Sequence, residues 1–190
     1  MRRILRGTQA SEIGHGSLRD RSVATELAQM QADPVLFVDI DGVISLWGFD
    51  LRSHPAGTFH DMDGVMHFLS AGAGNHLLAL SKRFELVWAS GWEEKANDHL
   101  PRLLGLPREL PFLSFDLDPG CGHGHWKLAA IDAYAGPRRP LAWIDDAHDD
   151  ACRAWAAGRR APTLLVDAAP ASGLTSDHVA RLLAWADGRR

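Results

Sequence analysis

From residue 34 onwards, short apolar runs alternate along the chain with longer stretches in which apolar residues recur at helical spacing. This alternation is typical of βαβ units and predicts a parallel sheet covered by helices. The apolar runs predict five strands, over residues 35–39, 85–89, 111–115, 141–145 and 163–167. The stretches with helical spacing predict five helices, over residues 75–82, 92–104, 126–135, 148–157 and 176–186, the last capped by Thr175. In several of these runs the residues that would point to each face of the sheet are all apolar, as expected of strands that helices cover on both sides.

The first 33 residues show no sustained periodicity and are rich in arginine and small polar residues. We predict a flexible arm over residues 1–33, with at most a short helix over 21–30, and a single α/β domain over residues 34–190. The chain is 46% hydrophobic and 23% charged, proportions that exclude a disordered or fibrous protein.

Two features of the sequence bear on its compartment. No apolar stretch approaches the ~20 residues of a membrane span, and the first residues lack the continuous apolar core of a signal peptide. Cysteine occurs only at Cys121 and Cys152, as expected in a reducing compartment. We therefore expect a cytoplasmic protein with no membrane partner, and the sequence indicates no protein partner.

Polar residues stand where the predicted strands end. In an open α/β sheet, ligands bind beyond the carboxyl ends of the strands, so these positions are the first candidates for a site. They are Asp39, Asp41, Ser90, Gly91, Asp145 and Asp146. Gly42 follows the first two carboxylates and allows the backbone to turn sharply.

These residue types suit phosphoryl transfer. Asp39 is a candidate nucleophile toward phosphorus, because an aspartyl phosphate divides one difficult hydrolysis into two easier steps. Asp41 is a candidate acid that protonates the leaving oxygen and then activates water. Ser90 and Gly91 are candidates for holding the phosphate oxygens.

An anionic phosphate needs a cation to approach an anionic carboxylate. Mg²⁺ prefers oxygen ligands, and we predict that Asp39, the main-chain carbonyl of Asp41, and Asp145 supply them. Asp146 is a further candidate, which would bind the ion, hold its waters or start the next helix. We therefore expect Mg²⁺ as the cofactor.

Lysine is scarce, since all 20 basic residues are arginine except Lys82, Lys95 and Lys127. Lys82 and Lys95 fall within helical patterns. Lys127 lies between the third and fourth predicted strands, where a phosphate site needs a compact positive charge. We predict that Lys127 binds phosphate.

Three other groups of residues imitate site motifs. The sequence DMDG at 61–64 repeats the first motif but follows no apolar run, which favours a turn or a helix start. Asp116 and Asp118 follow a predicted strand, but a Pro-Gly pair replaces the expected turn. Three residues of zinc-ligating types occur close together, at Cys121, His123 and His125, but a fourth ligand is missing. This favours a flexible, glycine-rich segment that leads to Lys127.

The insert between the first strand and its helix is too short for a large cap domain. It carries Trp47, His60 and His67, which belong either to a flap that covers substrate or to a surface loop. Trp92 and Trp126 flank predicted site residues, where they would stack on a base or exclude water. We expect an open site that admits bulky substrates.

In four motifs the sequence resembles the haloacid dehalogenase (HAD) superfamily. These motifs are DIDG at 39–42, the strand-end Ser90, Lys127 at the start of a helix, and the acidic pair Asp145 and Asp146. More closely, the runs over 36–43, 85–93, 142–146 and 173–186 resemble the HAD domain of Swiss Army Knife RNA repair proteins, and the similarity covers about residues 35–188.

This resemblance implies a Rossmann-like HAD fold with a five-stranded parallel sheet in the order 5-4-1-2-3, a minimal cap, Mg²⁺ dependence and phosphatase chemistry. An acid at Asp41 argues against a dehalogenase, which lacks that residue. Nucleic-acid ends, nucleotides and small phosphorylated metabolites all stay open as substrates, and the net charge of −4 opposes broad nucleic-acid binding. A non-catalytic binding module with the same fold is the alternative, which the filled catalytic positions disfavour.

Overall fold

The structure is a computed structural model, and it describes residues 33–115 and 125–189. The predicted arm over residues 1–33, apart from Asp33, lies outside the described residues. Asp116, Asp118, Cys121 and His123 lie outside them as well.

The chain alternates strands and helices after a three-stranded insert. In chain order the elements are β1 (Val35–Val38), β2 (Ser45–Leu46), β3 (Gly57–Met62), β4 (Val65–Ser70), α1 (Ala73–Leu80), β5 (Glu85–Trp88), α2 (Ala96–Leu104), α3 (Leu128–Ala135), β6 (Leu141–Asp145), α4 (Asp150–Gly158), β7 (Thr163–Asp167) and α5 (Ser176–Asp187). A short 3₁₀ turn, Glu93–Lys95, precedes α2. The five predicted helices are present with ends shifted by a few residues, as is usual for helix boundaries.

The central sheet is parallel and has four strands in the order β5-β1-β6-β7. This order agrees with four of the five predicted positions. The remaining predicted strand, the third in chain order at 111–115, makes only a single bridge, between Phe112 and Trp88. Its ladder ends early because the backbone N–H of Phe115 donates to Glu93 Oε1 (3.0 Å) instead of to the sheet. The described residues therefore form an α/β fold with a four-stranded parallel sheet, and the five-strand order is not confirmed.

Apolar side chains cover both faces of this sheet, as the continuous apolar runs predict. Alternate residues of β1 point to opposite sides, so Leu36 and Val38 belong to one apolar cluster and Val35 and Phe37 to the other. Helices α1, α2 and α5 cover the first face, and α3 and α4 cover the second. All four residues of β1 are fully buried. The strand ends that carry the predicted site are thus fixed by a core on each side.

The insert after β1 folds into a small antiparallel sheet in the order β2-β4-β3, called the flap below. A two-residue turn joins β3 to β4, with positive φ at Asp63 (54°) and Gly64 (83°), the combination that a type I′ hairpin turn requires. The sequence DMDG at 61–64 therefore forms a hairpin turn, which confirms the predicted turn, and Asp61 Oδ1 accepts the Gly64 N–H at 2.8 Å. The insert is a flap with strands of its own.

Within the part of the chain that the structure describes, no helix combines the length and the apolar character needed to cross a membrane.

Candidate active site

Three predicted site residues meet where β1 and β6 end. Asp39 follows β1 directly, Asp145 is the last residue of β6, and the two strands pair with Val38 opposite Ile144. The next positions along these strands are Asp39 and Asp145, so the parallel register brings them together. Lys127 precedes α3, and its Nζ lies 2.9 Å from Asp39 Oδ1 and 2.6 Å from Asp145 Oδ2.

This cluster is buried and carries an excess of negative charge. The Lys127 side chain is only 5% exposed and faces two carboxylates. Burial raises the pKa of Asp39 to about 7; the charge of Lys127 opposes this rise and that of Asp145 adds to it. Asp145 is in turn held by the Trp143 indole N–H (3.0 Å, on Oδ2) and the Ala147 N–H (3.0 Å, on Oδ1). A further cation would relieve the excess charge.

A third carboxylate, that of Asp146, completes an acidic cluster. One oxygen from each of Asp39, Asp145 and Asp146 lies within 4.8 Å of the others. Burial and then the charge of Asp145 raise the pKa of Asp146, and the charge of Lys127 opposes this rise. Oxygen donors without nitrogen or sulfur suit Mg²⁺ better than zinc, so the donor set fits the predicted cofactor.

Gly42 makes room for this cluster. Its φ is +75°, and a Cβ at this position would lie 2.2 Å from Asp146 Oδ2. Any side chain here would therefore displace the Asp146 carboxylate, besides straining the backbone. Gly42 therefore serves two purposes: it allows the turn of the backbone, and it leaves space for the Asp146 carboxylate.

The carboxylate of Asp41 lies outside the acidic cluster formed by the described residues. It is 53% exposed, and its Oδ2 accepts the indole N–H of Trp92 at 2.9 Å. On the other side, His67 Nδ1 lies 3.9 Å from Asp41 Oδ1. The predicted metal role of Asp41 concerned its main-chain carbonyl, and that role stays a prediction.

Ser90 and Gly91 follow β5, which pairs with β1 on the side away from β6. Ser90 is buried, and its backbone carbonyl accepts the N–H of Glu93 at 3.0 Å. A Cβ on Gly91 would lie 3.8 Å from the ring of Trp126, which is 54% exposed and lies 5.1 Å from Lys127 Nζ. Trp126 thus stands beside both Gly91 and Lys127, as its flanking position in the sequence predicts.

His125 is the described member of the three residues that imitate a zinc site. It is buried, and its Nδ1 accepts the backbone N–H of Lys127 at 3.3 Å. Burial lowers the pKa of His125, which favours the neutral ring that can accept this bond. His125 thus satisfies a free amide at the start of α3.

The structure adds three residues to the site that sequence reasoning did not assign to it in these roles. Trp143, predicted as core, is fully buried and also donates to Asp145. Trp92 and His67 surround Asp41. The position of Trp92, just after a strand-end serine, was a sequence signal for its place near the site. For His67 the signal was the Asp-Gly pair at 63–64, which marks the hairpin turn of the flap.

A buried carboxylate, a lysine that bridges it to a second carboxylate, and an acidic cluster suit phosphoryl transfer, where positioning and charge neutralisation dominate catalysis. No curated protein matches this sequence at a significant level. A family profile does match it, over residues 35–179, which span the four-stranded sheet, the flap and the whole acidic cluster. On this match the chain belongs to the family described as the HAD domain in Swiss Army Knife RNA repair proteins.

Proposed function

We propose that this protein is a Mg²⁺-dependent phosphomonoester hydrolase that acts through a phosphorylated Asp39. Family membership indicates a phosphatase-like hydrolase. The observation that supports the finer proposal is the contact of Lys127 Nζ with both Asp39 (2.9 Å) and Asp145 (2.6 Å), within reach of a third carboxylate.

In the first step a carboxylate oxygen of Asp39 forms a bond to phosphorus while the bond from phosphorus to the leaving oxygen breaks. Lys127 holds Asp39 Oδ1 and so orients the carboxylate. Ser90, Gly91 and Lys127 hold the phosphate oxygens. Asp41 gives its proton to the leaving oxygen.

In the second step water attacks the phosphorus of the aspartyl phosphate and gives its proton to Asp41. The bond between phosphorus and the Asp39 oxygen breaks, which releases phosphate and restores both carboxyl groups. Asp39, Asp145 and Asp146, with the carbonyl of Asp41, would hold the Mg²⁺, whose chemistry when bound is to neutralise the charge between carboxylates and phosphate.

The test is hydrolysis of p-nitrophenyl phosphate with and without Mg²⁺, by the wild type, Asp39→Asn and a matched control, Asp61→Asn. The control changes the first aspartate of the second D-x-D-G sequence, in the flap turn, where an asparagine oxygen can still accept the Gly64 N–H. We expect Mg²⁺-dependent activity that falls by about a thousandfold or more in Asp39→Asn and stays within about twofold in Asp61→Asn. Absence of Mg²⁺-dependent hydrolysis across a panel of phosphoesters would favour the non-catalytic binding module instead.

For the substrate we propose a bulky phosphomonoester, namely a nucleic-acid end or a nucleotide. The flap consists of three short strands, so it leaves room for a large leaving group. Rates on 5′- and 3′-phosphorylated oligonucleotides, nucleotides and sugar phosphates test this. A preference for sugar phosphates would support the small-metabolite alternative.

A further inference from the structure

We propose that Trp92 is a positioning residue that orients Asp41 for proton transfer, and that His67 of the flap holds Trp92 in place. This inference rests on the proposed phosphatase function and assigns a role to two side chains that this function does not need for binding phosphate.

The hydrogen bond from Trp92 fixes a side chain that would otherwise be mobile. Asp41 is about half exposed, and the Trp92 indole N–H donates to its Oδ2 at 2.9 Å. An exposed aspartate without a partner rotates freely in water. A group that delivers a proton works only within a narrow range of positions, so fixing its direction raises the rate.

His67 connects Trp92 to the flap. The two rings meet edge to face, with centroids 4.6 Å apart and planes at 66°. The Nδ1 of His67 also shares a hydrogen bond with the hydroxyl of buried Ser45 (3.0 Å), at the base of the flap. The position of the Asp41 carboxylate is therefore tied, through Trp92 and His67, to the flap that borders the site.

The backbone around Trp92 is fixed as well. Glu93, the next residue, has a φ of +48°, an uncommon conformation for a non-glycine residue. Two hydrogen bonds hold it, from the Glu93 N–H to Ser90 O (3.0 Å) and from the Phe115 N–H to Glu93 Oε1 (3.0 Å). One turn thus carries both Ser90, the candidate phosphate ligand, and Trp92, the partner of Asp41.

The test uses the dependence of rate on the leaving group, because a proton donor matters only when the leaving oxygen needs a proton. p-Nitrophenolate departs without one, whereas the alkoxide of glycerol 2-phosphate does not. For Trp92→Phe we expect kcat/KM to fall by about tenfold or more on glycerol 2-phosphate and by less than about threefold on p-nitrophenyl phosphate. Because kcat/KM covers only the steps up to release of the alcohol, slow hydrolysis of the intermediate does not obscure the comparison.

The matched control is Trp155→Phe. It removes the same kind of bond, from an indole N–H to a carboxylate oxygen of Asp132 at 2.9 Å, between α4 and α3. We expect the ratio of the two kcat/KM values to stay at the wild-type level. A second check places Trp92→Phe in an Asp41→Asn background, where the ratio should not change further, since the group that Trp92 orients is already gone.

Equal losses on both esters, or a full additional loss in the Asp41→Asn background, would overturn the positioning role while leaving the proposed function intact. A wild type that hydrolyses neither these esters nor any other phosphoester of the panel would overturn both.

Discussion

At the scale of single residues, the site depends on one buried lysine between two carboxylates. Lys127 Nζ approaches Asp39 and Asp145 at 2.9 and 2.6 Å from a side chain that is almost fully buried. A compact ammonium fits this space, whereas the wide planar guanidinium of arginine is not equivalent. This explains a lysine here in a chain that otherwise prefers arginine.

For Lys127→Arg we expect kcat on p-nitrophenyl phosphate to fall by about a hundredfold or more, with the far-ultraviolet circular dichroism unchanged. Lys95→Arg, at an exposed position of the 3₁₀ turn, is the matched control and should keep nearly full activity. Near-normal turnover by Lys127→Arg would remove Lys127 from the site.

Gly42 permits a second residue-scale test. Gly42 and Gly48 have nearly the same φ, +75° and +74°, but a Cβ would strike Asp146 only at Gly42, while nothing lies within 4 Å at Gly48. Replacement of either glycine by alanine should cost about 1–2 kcal/mol of unfolding free energy for the backbone strain. Only Gly42→Ala should also displace Asp146 and weaken Mg²⁺ binding.

The readout is the rise in thermal midpoint that Mg²⁺ produces, because an ion that binds the folded state stabilises it more when it binds more tightly. We expect this rise to be smaller in Gly42→Ala than in Gly48→Ala. Equal rises would show that Asp146 does not take part in binding the ion.

At the scale of elements, the start of α5 has a capping box. The Thr175 hydroxyl accepts the His178 N–H (3.4 Å), and His178 Nδ1 accepts the Thr175 N–H (3.2 Å). The second bond requires a neutral imidazole. Burial lowers the pKa of His178; its titratable or charged neighbours are Arg181 and Asp177 on the same helix and His76 on α1.

The lowered pKa of His178 determines how the stability of the protein depends on pH. Because the pKa of His178 is lower in the folded protein, the unfolded chain binds more protons, and stability rises with pH. The contribution is complete above the unfolded pKa of about 6.5 and is lost as pH falls. Glutamine at this position accepts the same bond without titrating, so His178→Gln should lose less stability than the wild type between about pH 7.5 and about pH 5.5 in urea unfolding. Equal losses would show that His178 does not contribute.

The sequence patterns predicted some strands and not others. β1, β5, β6 and β7 were predictable because each is a short apolar run between helices. The strands of the flap were not, because β3 and β4 expose apolar residues such as Phe59, Val65 and Met66, so polar and apolar positions do not alternate. The segment 111–115 is not confirmed as a strand: it makes one bridge, between Phe112 and Trp88, and the Phe115 N–H donates to Glu93, a residue distant in sequence.

At the scale of the whole molecule, parallel pairing explains why the carboxylates could be assigned to one site from the sequence. Strand ends of a parallel sheet share an edge, so Asp39 and Asp145 must lie close once β1 and β6 pair. The contact of Trp92 with Asp41 could not be foreseen, because it joins residues 51 positions apart and depends on a turn with a positive φ. Sequence patterns thus predicted which groups meet at the edge, and the structure shows which loops orient them.

The central claim is that Asp39 carries the phosphoryl group, and its most direct test is to trap that intermediate. Asp41→Asn is suited to this, because with p-nitrophenyl phosphate the first step needs no acid while the second lacks its base. The Asp41→Asn protein is incubated with substrate and Mg²⁺ and quenched with acid. Mass spectrometry of its peptides should find one phosphoryl group, on Asp39. The Asp39→Asn protein, treated in the same way, should carry no phosphoryl group. Hydrolysis of the ester with no phosphoryl group on Asp39, or with the group on another residue, would contradict the account.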